Sequence, residues 1–236
     1  MKKTDFFKGI KDGLPICVGY LSVAFAFGIF STESGLTIVE SLLISMVSVT
    51  SAGQFAGVPV IASGGSLIEL AATQFVINSR YALMSVSLSQ RLGKSIRMTD
   101  RLLISFVNTD EIFAVAMGRG EALERGYMYG LILTPYIGWS AGTLAGAIAG
   151  NILPHIITSA LGIAIYGMFT AIVVPEVKKH RPSAFCVLLA IALSCAFACI
   201  PQLKNIPDGF VIIICAAAAS LVFAFAAPVK VEDRVE

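Results

Sequence analysis

"FVIIICAAAASLVFAFAA", residues 210–227, is a run of eighteen residues without a charged side chain. A transmembrane helix needs roughly 20 mostly apolar residues, with about 17 as a lower bound, so this run is long enough to cross a bilayer. Residues 14–30 form a second run of the same kind. Only 14% of the 236 residues are charged, against about 25% in soluble domains. The sequence therefore predicts an all-α polytopic membrane protein.

Seven or eight apolar segments divide the chain, and some of them have the polar interruptions typical of broken or re-entrant helices. We expect one integral membrane transporter domain over residues 1–236, with spans at about 13–31, 38–62, 66–90, 102–117, 128–151, 155–175, 184–201 and 209–228.

A weak internal repeat is consistent with two related halves, although chance also explains it. "PICVGY" (15–20) is similar to "PYIGW" (135–139), and "GQFAGVP" (53–59) is similar to "GMFTAIVVP" (167–175). Transporters are often built from repeats, with substrate sites where broken helices meet near the middle of the membrane.

The number of crossings depends on residues 102–117. This segment measures about 24 Å as a helix, which is less than the ~30 Å hydrocarbon core, and polar residues 108–111 interrupt it. It therefore fits either a full crossing or a re-entrant pair of half-helices. The basic residues divide eleven against five in both topologies, so we expect eight crossings because the first helix usually sets orientation. That topology puts residues 91–101 on the face opposite Arg119 and Arg125.

The third span carries polar residues at membrane depth, in "QFVINSRYALMS" (74–85). At 100° per residue, Gln74, Asn78, Tyr81 and Ser85 fall within about 60° of one another on one face. Arg80 points about 120° away from Gln74 on an intact helix. A charge at this depth costs at least ~2.5–3.5 kcal/mol, so it normally faces a cavity or a paired acid. Both a substrate pathway and a structural ion pair explain Arg80.

Two arrangements of Arg80 follow from this geometry. Either the helix breaks near Ser79, or Arg80 pairs with the turn at residues 108–111 of "NTDEIF" while the stripe of Gln74, Asn78, Tyr81 and Ser85 lines the substrate path. Asp110 and Glu111 in that turn are suited to neutralising Arg80, carrying a coupling proton or binding a substrate ammonium. Their alternative role is local, because Thr109 is a good N-cap and acidic residues stabilise the first turn of a helix.

Small and cyclic residues indicate where helices break or pack. The stretch "SVTSAGQFAGVPV" (48–60) breaks the second span: Gln54 supplies a polar group, and Gly53, Gly57 and Pro59 loosen the helix, which suits a cavity lining or close helix packing. Further positions of this kind are Pro15 in the first span and the GxxxG ridge of Gly142, Gly146 and Gly150, which we assign to helix packing. Glu69, near the start of its span, is expected at the interface.

No enzyme or ATP-driven pump is indicated. The chain has no GxxxxGK[ST] phosphate loop, and neither histidine stands at a readable spacing from a nucleophile. We expect no catalytic residue, no metal site and no cofactor. A channel is the harder rival to separate from a carrier, and an intramembrane hydrolase or transferase is the weaker one.

Five stretches in order resemble one family: "GLPICVGYLSVAFAFG" (13–28), "SAGQFAG" (51–57), "NSRYALM" (78–84), "TDEIFAV" (109–115) and "YGMFTAIVVPEVKKHR" (166–181). They are similar to the AzlC (YgaZ) family, the large subunits of bacterial branched-chain amino-acid exporters. The resemblance implies export of valine, leucine, isoleucine and sometimes methionine across the inner membrane, together with a small multi-span partner of the AzlD (YgaH) type.

The family's N-x-R-[HY] pattern falls on Asn78, Arg80 and Tyr81, and its T-D-E pattern falls on residues 109–111. Many relatives have histidine at the position of Tyr81. Because export against a gradient needs coupling, we expect a secondary-active exporter that is coupled to protons through an acidic residue. A channel or a carrier for another small zwitterionic or organic solute is the alternative.

We expect Arg80 or a half-helix N-terminus to hold the substrate carboxylate. Asp110 or Glu111 would hold the ammonium, and Gln54 and Asn78 would orient the substrate.

Overall fold

The structure is a computed structural model that describes residues 3–93, 96–120, 122–153, 167, 170, 173–174, 177–178, 181–203 and 206–226. In these residues the regular structure is helical apart from one isolated β-bridge. The helices are α1 (Lys3–Glu33), α2 (Ile38–Val47), α3 (Ser51–Ala62), α4 (Leu67–Arg91), α5 (Met98–Phe106), α6 (Asp110–Gly118), α7 (Arg125–Ile152), α8 (Arg181–Cys199) and α9 (Asp208–Ala226).

Four of the described helices, α1, α7, α8 and α9, are long and apolar enough to cross a membrane. The prediction of an all-α polytopic membrane protein is confirmed. Most of the predicted span at 155–175 lies outside the described residues, as does most of the repeat at 167–175.

The chain forms two compact units. The first comprises Met1–Val58 and Ile77–Ile165, and the second comprises Pro59–Val76 and Tyr166–Glu236.

Helices α1 and α7 run parallel and form the frame of the first unit. Gly9 near the start of α1 lies against Tyr127 near the start of α7, and Phe25 lies against Gly146 further along both helices. The ridge of Gly142, Gly146 and Gly150 faces α1, where a Cβ atom on Gly146 would collide with the backbone carbonyl of Phe25. Small residues therefore let these two backbones approach closely.

Helix α2 returns from the far end of α1 toward the middle of the frame. It begins with a capping box in which the Thr37 hydroxyl accepts from the Glu40 amide. The Ser31 hydroxyl donates to Ser41 across 2.7 Å, and the Tyr136 hydroxyl, midway along α7, donates to the carbonyl of Met46 across 3.0 Å. The helix ends there, and residues 48–50 form a non-helical break.

Helix α3 turns back toward the end from which α2 came. The ring of Phe55 packs against Phe27 and Phe30 in the last third of α1, with centroids 5.4 and 5.3 Å apart. Val58 is buried in one cluster with Phe27 and with Leu36 from the α1–α2 loop. We call α2, the break and α3 the first hairpin. The sequence predicted one crossing over 38–62, and the structure differs because the chain reverses at residues 48–50.

Helices α5 and α6 form a second hairpin, which enters from the opposite end of the frame. Asp100 at the start of α5 pairs with Arg125 at the start of α7 across 2.9 Å. After α6, the guanidinium of Arg119 lies over the ring of Tyr127, 4.0 Å from its centroid. Both ends of the hairpin therefore lie beside the start of α7, and residues 107–109 form its non-helical break.

The predicted topology that separated residues 91–101 from Arg119 and Arg125 is wrong. The amide of Leu123 donates to the carbonyl of Arg91 across 3.2 Å, and the Gly93 amide donates to the Leu123 carbonyl across 3.0 Å. The two loops are paired, so the segment over 98–118 has the re-entrant form that its short length also allowed.

The tips of the two hairpins meet in the middle of the frame. Val49 from the first break and Val107 from the second belong to one cluster of buried residues, together with Tyr20 and Trp139. Tyr136 contacts the last turn of α2 and the last residue of α5. Its hydroxyl donates to the Met46 carbonyl, and its ring centroid lies 6.5 Å from that of Phe106.

In the second unit, Glu69 is buried although the sequence placed it at an interface. Its Oε1 accepts from the Gly209 amide at the start of α9 across 2.9 Å, and its own amide is capped by the Ser66 hydroxyl. The carboxylate joins α4 to α9 because a helix N-terminus is a favourable site for a negative charge.

Candidate functional site

Arg80 and Asp110 form an ion pair with 2.9 Å between Nη2 and Oδ2. Their side chains are 51% and 46% exposed, so neither is enclosed by the described part of the chain. Arg80 also donates to the Tyr81 hydroxyl across 3.1 Å and lies over that ring at 4.9 Å. Because α4 is continuous through Ser79, the arrangement with a helix break there is wrong, and the structure has the ion pair instead.

The Tyr20 hydroxyl connects α1 to the second break. It is hydrogen-bonded to the Thr109 hydroxyl across 2.6 Å and to the carboxylate of Glu111. A hydroxyl has one proton and an ionised carboxylate can only accept, so with Glu111 ionised Tyr20 donates to Glu111 and Thr109 donates to Tyr20. Thr109 is the N-cap of α6, but it makes no side-chain capping bond.

Trp139 lies over Tyr20, with ring centroids 5.1 Å apart and planes 69° apart. This is the edge-to-face arrangement that aromatic pairs prefer. Trp139 is 2% exposed, and its Nε1 finds no hydrogen-bond partner in the described part of the chain. Residues 15–20 and 135–139, which are similar in sequence, therefore each contribute one aromatic side chain to this contact.

Asn108 is the residue that sequence reasoning missed. It lies in the second break with 4% exposure, and neither its Nδ2 nor its Oδ1 has a partner among the described residues. The sequence carried a signal, since an amide inside a short apolar segment and directly before a T-D-E pattern needs a reason. Tyr20 was likewise noticed only as part of a repeat.

The first break and the start of α3 are neutral, and Thr50 and Gln54 there are hydrogen-bonded within the first unit. The Thr50 hydroxyl donates to Oδ1 of Asn78 across 2.9 Å and accepts from the Gly53 amide across 3.4 Å. Nε2 of Gln54 donates to the Ser45 hydroxyl across 2.7 Å. Gln54 is buried, and its Oε1 lacks a partner among the described residues.

The remaining predicted positions lie inside continuous helices. Pro15 is within α1, and Gly57 and Pro59 are within α3. The first break lies before Gly53, and the Thr50 hydroxyl caps the start of α3 by accepting from the Gly53 amide. Gln74 is in the part of α4 that belongs to the second unit.

The second unit contains a cavity of about 470 Å³ between the α3–α4 loop and the start of α9. Glu69 and Asp208 are the charged members of its described lining, which includes no basic residue. An amino acid needs a partner for its carboxylate as well as for its ammonium. The first unit therefore provides the better site, because Arg80, Asp110 and Glu111 lie together there.

Two short-helix hairpins that meet inside the frame, with charged side chains at the tip of the second, are typical of a polytopic membrane protein of the transporter class. The AzlC protein family matches residues 15–153, which include every member of this site from Tyr20 to Trp139. The chain belongs to the AzlC family.

Two relatives cover most of the chain. It is 29% identical over 228 residues to the inner membrane protein YgaZ of Escherichia coli (strain K12), a match that covers 93% of this chain and 91% of that protein. It is 31% identical over 195 residues to an uncharacterized membrane protein of Archaeoglobus fulgidus, covering 82% and 85% of the two chains. No solved structure matches the chain. Family and relatives together point to a role in membrane transport.

Proposed function

We propose that the chain is a secondary-active exporter of branched-chain amino acids, namely valine, leucine and isoleucine, and also of methionine. It works in the bacterial inner membrane with a small multi-span partner of the AzlD type. The half-exposed ion pair of Arg80 and Asp110, where the hairpin tips meet, carries this proposal.

A zwitterion is the solute that such a pair fits. An amino acid brings a carboxylate for Arg80 and an ammonium for Asp110, so each protein charge exchanges one partner of opposite sign for another. No charge is left unpaired at membrane depth, where an isolated one is costly. A purely anionic or cationic solute would leave one member of the pair without a partner.

The aliphatic side chain would be bound by apolar surface. Val49 and Val107 lie at the two tips, and Phe113 packs on the same cluster. One methylene in an apolar pocket is worth only about 1–3 kcal/mol, so such a surface accepts valine, leucine and isoleucine together.

Export against a gradient needs coupling, and Glu111 is the group that we propose to carry the proton. Its side chain is exposed while its carboxylate is held by Tyr20. Protonation would reverse the Thr109–Tyr20–Glu111 chain, because a protonated carboxyl can donate to Tyr20.

Charge supports one orientation of the first unit. One end of the frame, formed by the start of α1, the start of α7 and the loops beside them, carries the basic residues Lys8, Lys11, Arg91, Arg97, Arg119 and Arg125. Short loops rich in lysine and arginine remain in the cytoplasm. We therefore propose that the second hairpin enters from the cytoplasm and the first from the opposite face.

The test is leucine accumulation in bacteria fed a leucine-containing dipeptide, with and without the chain and a small partner subunit. We expect lower intracellular leucine when both are expressed, and loss of that effect when an uncoupler removes the proton gradient. Unchanged leucine in every combination would contradict the proposal. Efflux that persists down the leucine gradient but never against it would favour the alternative, a channel.

A further inference from the structure

Asn108 has a buried carboxamide that makes no hydrogen bond within the described part of the chain. Its nitrogen and oxygen are both shielded from solvent. Buried polar groups are bonded in the great majority of cases, and an exception needs an explanation. A group that is left unbonded at the tip of a hairpin is available to a partner that binds in another state of the protein.

The other unbonded atoms of the first unit are less informative. Gln54 lacks a partner for Oε1, an acceptor, while its nitrogen is bonded to Ser45. Trp139 lacks one for Nε1, which can only donate. The Ser140 hydroxyl also lacks a partner among the described residues, but its donor and its acceptor are one oxygen atom. Among these four side chains, Asn108 alone offers an unbonded donor and an unbonded acceptor on separate atoms.

That pair of groups matches the head group of an α-amino acid. The ammonium donates, the carboxylate accepts, and both are attached to one carbon atom. A carboxamide likewise holds its accepting oxygen and its donating nitrogen on one carbon. We propose that Asn108 binds both groups of the substrate at once, its Oδ1 accepting from the ammonium and its Nδ2 donating to the carboxylate.

This assignment rests on the function proposed above and adds a criterion for which solutes the site accepts. The neighbouring residues fit this criterion, since Thr109 is bonded to Tyr20 and Asp110 faces Arg80, whereas the carboxamide of Asn108 directly before them has no partner among the described residues. Charge pairing alone would accept any solute with two opposite charges. Asn108 requires those charges to be carried by groups on the same carbon.

Three probes separate the two halves of the head group. L-leucine has both groups, isoamylamine lacks the carboxylate, and 4-methyl-2-oxopentanoate lacks the ammonium. Binding is measured by calorimetry on the full chain in lipid nanodiscs, with and without the small partner subunit. We expect L-leucine to bind at least about 10-fold more tightly than either analogue, because hydrogen bonds to charged groups are the strong ones.

Variants of Asn108 then separate recognition from folding. Asn108→Leu should weaken L-leucine binding about 10-fold or more and leave the Tm unchanged or higher, since it removes two unbonded polar groups. Asn108→Asp keeps an acceptor and loses the donor, so its preference should shift from L-leucine toward isoamylamine. The control is Asn151→Leu, because Asn151 bonds to its own helix at the Ala147 carbonyl across 3.0 Å; L-leucine affinity should stay within about 2-fold.

Unchanged L-leucine affinity in Asn108→Leu would overturn the inference while leaving the proposed exporter in place. If that variant does not fold, Asn108→Asp decides, and an unchanged order of the three probes overturns the inference. Wild-type protein that binds neither L-leucine nor its analogues in either preparation would contradict the proposed function itself.

Discussion

The two hairpins of the first unit have the same plan and opposite chemistry at their tips. The first break is neutral, and Thr50 serves it twice, as a cap for Gly53 and as a donor to Asn78. In the second break the corresponding hydroxyl, that of Thr109, is bonded to Tyr20 instead of capping its helix.

Charge separates the two tips more clearly still. Asp110 and Glu111 follow the second break directly, and Asp110 faces Arg80, whereas Ser51 and Ala52 follow the first. The neutral side chain of Thr50 and the Nε2 group of Gln54 are hydrogen-bonded within the fold, whereas the charged groups of the second tip can exchange partners with a charged solute. We infer that the first tip is structural and the second binds substrate.

The largest expected effect is at Arg80. Arg80→Gln leaves Asp110 unpaired and removes the proposed partner of the substrate carboxylate, so we expect leucine export per folded molecule to fall at least about 10-fold. The measurement is export rate divided by the amount of folded protein in the membrane.

The double variant Arg80→Gln with Asp110→Asn shows whether the pair is structural. A structural pair would be relieved by neutralising both residues, and export would return; a binding pair would stay inactive. Arg91→Gln is the control in the same helix, where the guanidinium donates to the Arg119 carbonyl at one end of the frame, and it should change export by less than about 2-fold.

Two tyrosines allow a matched comparison of the tips. Tyr20→Phe removes the hydroxyl that holds Thr109 and Glu111, and Tyr136→Phe removes the one that holds the Met46 carbonyl. Each change deletes bonds worth about 0.5–1.5 kcal/mol, or up to about 3 kcal/mol to a charged group. Export should fall about 3- to 10-fold in the first variant and less than 2-fold in the second. Equal losses would abolish the distinction between the tips.

The smallest effect on transport is expected at Thr50. Thr50→Val keeps the shape of the side chain but removes the cap and the bond to Asn78. The free energy of unfolding should therefore fall by about 1–2 kcal/mol. Thermal unfolding in detergent would show a lower Tm, while export per folded molecule should stay the same. Thr50→Ser, which keeps the hydroxyl, should restore most of the Tm. A loss of export without a change in Tm would assign the first tip to binding.

The sequence predicted the membrane class and the second break for a clear physical reason. A shortage of charge and a polar interruption such as residues 108–111 are local properties that survive folding. The reversal at 48–50 was missed because 25 residues at 38–62 are enough for a crossing, and the glycines and proline that drew attention come after the turn.

The partners within the site could be predicted less well. Helical periodicity shows which residues share a face of α4, and it led to the choice between a helix break and the pairing of Arg80 with the turn at 108–113. Helical periodicity does not predict the hydrogen bond between Tyr20 and Thr109, because the two residues are 89 positions apart in the chain. Asn108 was missed for the same reason, since its lack of partners is a property of the packed interior.

The contact between Tyr20 and Trp139 has a practical consequence. Trp139 is the single tryptophan of the chain, it is shielded from water, and it touches the hydroxyl-bearing ring that holds the second break. All indole fluorescence therefore originates at one position beside the site. Emission wavelength and intensity can report solute arrival in unlabelled protein, and a stopped-flow trace of that signal would time the opening of the hairpin tips.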